Sequence, residues 1–188
     1  MSTFSFEAFW NYVRDQPSLL GDRPAVHFKK GCDIFRQGET CSDVFILTQG
    51  LVKLHYVTLD GKEWIKSFIM DHGMFGSRVS QSLDQPSTFS VTCIEDCAVF
   101  PIPYKAFEAS CTHDPKLSAM AFGFFQWLGL KKELREHDLL CLSAEERYQN
   151  FLDNNPDLSQ RITQSDMARY LGITPIALSR IKGRLSRT

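Results

Sequence analysis

Residues 161–188 read R-I-T-Q-S-D-M-A-R-Y-L-G-I-T-P-I-A-L-S-R-I-K-G-R-L-S-R-T. The stretch spells two short helices with a glycine turn between them. Thr163 can cap the first, with Asp166 three residues on in a weak form of the capping box. Met167, Ala168 and Leu171 then give that helix an apolar face. Gly172 suits the positive-φ position that ends a helix. Thr174 can cap the second helix, and Pro175 falls at its first position, where no N–H is needed. This is the layout of a helix-turn-helix, whose second helix enters the major groove of DNA.

Charge points the same way. From Arg161 onward six basic residues (Arg161, Arg169, Arg180, Lys182, Arg184, Arg187) stand against one acid, Asp166, a net +5 in a chain of net −1. The body before Arg161 is therefore acidic, and a basic module on an acidic body is an electrostatic footprint for nucleic acid. At about 100° per residue, Leu178, Ile181 and Leu185 share the face that must pack on the first helix. The opposite face carries Ile176, Ser179, Arg180 and Gly183, with Arg184 at its edge. Arg180 is the expected bidentate contact to guanine, and Ile176 could meet a thymine methyl. Ser179 and Thr174 could bond a phosphate or a base edge. Lys182, Arg184 and Arg187 are expected on phosphates, which position the protein without specifying sequence.

The 188 residues, 43% apolar with fifteen Phe, suffice for one large domain or two small ones. No apolar run approaches the roughly 18–20 residues that cross a bilayer. Met-Ser-Thr-Phe-Ser-Phe-Glu has no basic stretch leading into an apolar one, so it is not read as a signal peptide, and a cytoplasmic location is expected. Cys32, Cys41, Cys93, Cys97, Cys111 and Cys141 form no Cys-x-x-Cys and are expected as reduced, mostly buried thiols, with no metal site. Cys93 and Cys97, four apart in a strand-like stretch, are expected on one face of it.

Working back from the basic module, Ser143-Ala-Glu-Glu146 is a capping box opening a helix to about Leu152. Before it, Pro115 opens a long helix to about His137, in which Leu117, Met120, Phe124 and Trp127 form a stripe at 3-4-3 spacing. Its remaining surface is also rich in apolar residues (Ala121, Phe122, Phe125, Leu128, Leu130), an excess that argues for pairing with a second copy, the stripe being the dimerisation seam. Tyr104–Ser110 reads as a short helix. From Ala25 to Ile102 the period drops to two, with Gly31, Gly38, Gly50, Asp60-Gly61, Gly73 and Gly76 as punctuation. Strands are expected over 25–29, 33–36, 43–49, 51–57, 62–70, 88–94 and 97–102, with a hairpin at Asp60-Gly61. Many short strands at this spacing give a small antiparallel barrel or roll. Ahead of them, Phe6, Phe9, Trp10 and Val13 mark an amphipathic helix over 3–15.

This order of roll, long helix, capped helix and helix-turn-helix resembles the Crp–Fnr family of bacterial transcription regulators over nearly the whole chain. The motifs are K-K-G-C-D-I-F-R-Q-G-E (29–39), V-F-I-L-T-Q-G-L-V-K-L (44–54), D-G-K-E (60–63) and I-T-Q-S-D-M-A-R-Y-L-G-I-T-P-I-A-L-S-R-I (162–181). The resemblance implies an α+β chain. An antiparallel β-roll (double-stranded β-helix, cyclic-nucleotide-binding-like) is followed by a long dimerisation helix and a C-terminal helix-turn-helix. The corresponding division is 1–113, 114–141 and 142–188. Homodimers on two-fold sites in double-stranded DNA are implied as well, with RNA polymerase as a further partner and no membrane association.

The sequence departs from the family in three places. Members that bind cyclic nucleotides carry a phosphate cassette whose Glu takes the ribose hydroxyl and whose Arg neutralises the cyclic phosphate. Here Gly76 is kept, but Ser77 and Ser87 stand at the Glu and Arg positions. Arg78 is one residue out of place, and strand alternation would turn it to the other face. A buried phosphate would be left unpaired, so cyclic AMP is not expected to bind. A ligand pocket is expected around Gly76, Ser77, Arg78, Ser87 and Thr88, for an unknown effector and with no cofactor. Members usually continue past the recognition helix into a β-hairpin wing, whereas a helix-turn-helix without wing is expected here. No cysteine cluster precedes Cys32, and His27, His55 and His72 are single, so neither an iron–sulfur cluster nor a haem is expected. The competing reading is a ligand-binding or interaction module that does not bind DNA. An enzyme on a cupin-like barrel would need paired histidine ligands, and none of the five histidines is so paired.

Overall fold

The computed structural model describes residues 4–16, 19 and 24–186. Helix α1 (Phe6–Arg14) precedes strands β1 (Val26–Phe28), β2 (Asp33–Phe35), β3 (Asp43–Gln49), β4 (Leu51–Val57), β5 (Glu63–Met70) and β6 (Met74–Phe75). A short helix α2 (Arg78–Leu83) then interrupts the strands before β7 (Ser90–Cys93) and β8 (Cys97–Pro103). Helices α3 (Tyr104–His113), α4 (Pro115–Cys141), α5 (Ala144–Asn154), α6 (Pro156–Arg161), α7 (Gln164–Tyr170) and α8 (Pro175–Leu185) complete the described chain.

The strands form two antiparallel four-stranded sheets, ordered β1-β8-β3-β6 and β2-β7-β4-β5. Their facing sides bury Phe35, Phe45, Leu47, Val52, Leu54, Phe75, Phe89, Val91 and Val99. Both sheets are also covered outside, which is why β3 reads as a continuous V-F-I-L run: strands buried on both faces lose strict alternation. Val44 and Ile46 face outward, under α1, α3 and α4, while Phe45 and Leu47 face inward. The other sheet presents Leu51, Ile65 and Phe68 to the helices that follow α4, where they join Tyr148, Phe151, Leu158, Met167, Leu171, Leu178 and Ile181. The order of layers is helices, sheet, sheet, helical head. The Asp60-Gly61 hairpin forms as expected, with Gly61 at φ +78°.

Three expectations are corrected. Arg78 lies on no strand; it opens α2, capped by the Ser77 hydroxyl, so strand alternation says nothing about its direction. Cys93 and Cys97 do not share a strand. They end β7 and begin β8, and both reach the same inter-sheet core through the connecting turn. The stripe on α4 packs inside its own chain. Leu117 and Phe124 are 1% and 5% exposed, in the cluster that holds Phe9, Val13 and Phe107, with Met120 and Trp127 packed against it. The apolar side chains that α4 leaves exposed are others: Phe122, Phe125, Leu130, Leu134, Leu139 and Leu140.

Candidate nucleic-acid interface and sensor cavity

The head is assembled from local chemistry. Thr163 Oγ1 accepts from the Asp166 amide and donates back to the Asp166 carboxylate at 2.6 Å, fixing the start of α7. Gly172 takes φ +72°, where an L side chain would be strained. Thr174 Oγ1 accepts from the Ala177 amide, and Pro175 opens α8. Leu178 and Ile181 are buried and Leu185 packs beside them, so α8 turns Ile176, Ser179, Arg180 and Gly183 to solvent. Thr174 is exposed at the N-terminus of that face, and Lys182 is half-buried on its flank. Arg184 is exposed and pairs with Glu145 of α5 at 2.7 Å. Arg187 lies outside the described residues.

The opposite side of the head is tied to the roll by charge. Lys53 of β4 reaches Glu63 at 2.7 Å and Asp166 of α7 at 3.4 Å, and Arg169 of α7 reaches Glu63 at 3.0 Å. Burial pushes the Glu63 carboxyl up, but the Lys53 hydrogen bond and the charges of Lys53, His55 and Arg169 outweigh it and leave it below its ordinary value. Beside them His55 Nε2 lies 2.9 Å from Thr92 Oγ1, and burial holds its imidazole below the usual range despite the Glu63 charge. Arg161 grips Glu95 through both Nε and Nη2, at 3.0 and 2.7 Å, and adds Asp71 and the Gly50 carbonyl at 3.2 Å each. Arg135 of α4 donates to the carbonyls of Ile65 and Tyr170, bridging roll and head.

Between sheet, α2 and α4 opens a cavity of about 890 Å³. Of the residues expected to line a pocket, Gly76, Arg78 and Thr88 do so, and Ser77 and Ser87 do not. Both serines are buried and committed to the backbone: Ser77 caps α2, and Ser87 donates to the Phe89 carbonyl. Gly76 is needed for close approach, since a Cβ there would collide with the Gln81 amide and the Asp43 carbonyl. Arg78 donates to the Tyr104 hydroxyl at 2.9 Å and lies over the Tyr104 and Phe125 rings. The sequence reading missed Lys66, Lys131 and Arg135, which also line the cavity. Lys66 interrupts the β5 run E-W-I-K-S-F-I-M, and nothing local says that its side chain turns inward.

Comparison with known proteins fits this geometry. Residues 25–114 match the family model of the cyclic nucleotide-binding domain. The fumarate and nitrate reduction regulatory protein of Vibrio cholerae is 27% identical over 176 residues, 85% of this chain and 68% of that protein. The anaerobic regulatory protein of Haemophilus influenzae is 24% identical over 171 residues, 82% of this chain and 63% of that protein. The relatives that the chain resembles over most of its length are bacterial regulatory proteins, in keeping with the Crp–Fnr resemblance of its motifs. The chain thus spans about two thirds of the length of these relatives. The structure of FixK2 from Bradyrhizobium japonicum shares this fold, at TM-score 0.69 and 23% identity, covering 87% of this chain and 85% of that one. Among the described residues no helix is long and apolar enough to cross a membrane, and no group of three or more His, Cys, Asp or Glu is placed to hold a metal.

Proposed function

We propose that this chain is a regulator of the Crp–Fnr type that binds a two-fold site in double-stranded DNA as a homodimer, under the control of a small molecule held in the roll. The face of α8 carries the reading. Capped and proline-started, α8 is packed through Leu178 and Ile181, which leaves Ile176, Ser179 and Arg180 turned to solvent. Arg180 is assigned to guanine, with Thr174, Ile176 and Ser179 on neighbouring base edges and Lys182, Arg184 and Arg187 on phosphates. Pairing is assigned to the outer side of α4, where Phe122 and Leu140 are 64% and 77% exposed, because Leu117 and Phe124 already have their neighbours. Two heads so paired would read half-sites about 34 Å apart, or a multiple of that. RNA polymerase is a further partner in this reading.

The effector is assigned as something other than cyclic AMP. The two serines at the cassette positions offer a phosphate no charge and are turned into the backbone. The chain is assigned no catalysis. The test is a gel-shift titration on a selected operator, in which Arg180→Ala should cost about 1–3 kcal/mol and relax preference at one base pair. Equal affinity of variant and wild type would mean that α8 is not the reader. A flat dependence of log K on log salt with random duplex would remove DNA binding altogether and leave a ligand-binding module.

A further inference from the structure

The cavity has the size of a ligand site, and its walls are mostly aromatic and aliphatic: Leu54, Trp64, Phe89 and Trp127 among them. Against that apolar lining stand Lys66, Lys131, Lys132, Arg135 and Arg78, drawn from β5, α4 and α2. Among the described residues none of the five has a carboxylate within ion-pair distance. The contacts of Lys66, Lys131, Arg135 and Arg78 are π faces and neutral oxygens. Lys66 Nζ sits 3.7 Å from the centroid of Phe89, and Lys131 Nζ lies 3.4 Å from Ser67 Oγ and 5.1 Å from the Trp127 centroid. Arg135 donates to two backbone carbonyls. At the seam between the roll and the head the chain pairs its cations: Lys53, Arg161 and Arg169 each have carboxylates. Glu136 also lines the cavity, but it makes no ion pair with these cations among the described residues.

A charge drawn out of water without a counter-charge costs free energy, and an aromatic face restores only part of it. Lys66, Lys131 and Arg135 are the half-buried ones, with Lys132 and Arg78 exposed at the rim, and a fold that keeps three such charges around one apolar space is complementary to an anion with an apolar body. From this, and resting on the sensory reading above, we propose that the cavity binds an amphipathic organic acid. Its carboxylate would dock on Lys66 and Lys132, and its aromatic or alkyl body would lie against Leu54, Trp64, Phe89 and Trp127. The anion thus sits on the β5–α4 side of the cavity, away from the α2 segment. Burial and the nearby Lys132 charge lower Lys66 to about 8, as expected of a buried ammonium that still lacks its counter-ion. Docking there joins β5 to α4, and β5 and α4 are the elements whose carbonyl contacts through Arg135 hold the head. Ligand charge is thereby placed one strand from the DNA-reading unit.

The test uses the full-length chain and two dyes that share one ring system. These are 1-anilinonaphthalene-8-sulfonate, an apolar anion, and N-phenyl-1-naphthylamine, the same body without its acid. The anion should bind at least about tenfold more tightly than the neutral dye. Lys66→Met should remove that preference while leaving the neutral dye's affinity unchanged, with thermal unfolding recorded alongside. Lys132→Met, at an exposed position, is the second variant and should cut the preference about threefold. Decanoate and naphthalene-1-acetate should compete with the anionic dye, their ranking separating alkyl from aromatic ligands. Equal binding of the two dyes would overturn the anion assignment alone. So would a preference that survives both substitutions, failure of both acids to compete, or stronger competition from cyclic AMP. If neither dye binds, the sensory cavity falls with it.

Discussion

The cations of the roll–head seam and those of the cavity are made of the same residue types around the same sheet, yet their surroundings are opposite. Lys53, Arg161 and Arg169 meet Glu63, Asp166, Glu95 and Asp71 at 2.7–3.4 Å. Lys66, three residues along β5 from Glu63, meets a phenyl ring. Paired charges fix how the helix-turn-helix sits on the roll. Unpaired charges leave the cavity electrostatically incomplete. Stability and ligand response are thus divided between two sets of side chains, and substitutions in the two sets should have opposite signs.

The largest effect belongs to the seam. Lys53 is 15% exposed and faces carboxylates that are 21% and 12% exposed. Lys53→Met leaves Glu63 and Asp166 facing each other with Arg169 alone, and should destabilise by about 2–3 kcal/mol in urea unfolding. The pH dependence has a definite sign. Glu63 is held below its ordinary value of 4.5, so its stabilising contribution is present above that value and lost as pH falls through the folded-state value. The gap between wild type and Lys53→Met should therefore narrow below about pH 4.5. A gap that is constant down to pH 3 would mean that Lys53 acts by packing and not by charge.

The cavity should respond the other way. Lys66→Met exchanges an uncompensated ammonium for a side chain of similar length, and should stabilise the ligand-free protein by about 1–2 kcal/mol. Lys66 is lowered from 10.5 to about 8, so the unfolded chain binds the extra proton between those values. Its destabilising effect is full below about pH 8 and fades as pH rises toward 10.5. The advantage of Lys66→Met over wild type should shrink across that window. If the substitution instead destabilises at neutral pH, the lysine is structural, and the contrast between the two cation sets disappears.

The same contrast explains what could be read from sequence. Much of the head that rests on neighbours in the chain was legible: the Thr163 and Thr174 caps, Gly172, Pro175, and the Ser143–Glu146 capping box, in which both reciprocal bonds form, while the short helix α6 opened by Pro156 was not expected. The Asp60-Gly61 hairpin and the long runs of β3, β4 and β5 were legible for the same reason. What failed depended on partners distant in sequence. Periodicity found the apolar stripe of α4 but not its cover, which is α1 with Phe6, Phe9 and Val13. Helix α2 runs only from Arg78 to Leu83 and lies between the strands expected over 62–70 and 88–94, where no helix was expected although Ser77 was an available cap. Lys66 and Lys53 are alike as lysines in strands. Which of them meets a carboxylate is decided by the placement of Glu63 and Asp166 across the sheet and the head.

A smaller effect probes the turn that leads into α8, the helix proposed to read DNA. At Gly172 an added Cβ would meet Leu139 Cδ2 at 3.3 Å, with φ at +72°. Gly172→Ala should cost about 1 kcal/mol, and operator affinity should fall at the same time because the turn sets the angle of α8. Loss of stability without loss of affinity would show that α8 is oriented by its packing on Ile162 and Leu171 instead.

The smallest effect on stability concerns Arg184, which belongs to neither set. It pairs with Glu145 at 2.7 Å, but the two side chains are 68% and 40% exposed, so water and salt compete for both. Exposed pairs of this kind contribute about 0–1 kcal/mol. Arg184→Ala should therefore leave the unfolding midpoint nearly unchanged. Its effect should instead appear on DNA, where one phosphate contact fewer lowers the salt slope by about 1 and weakens all sequences alike. Glu145→Gln should do the reverse and raise affinity slightly, because Arg184 no longer exchanges a protein carboxylate for a phosphate. If Arg184→Ala changed stability by as much as Lys53→Met does, pairing would matter wherever it occurs, and burial would cease to separate the seam from the surface.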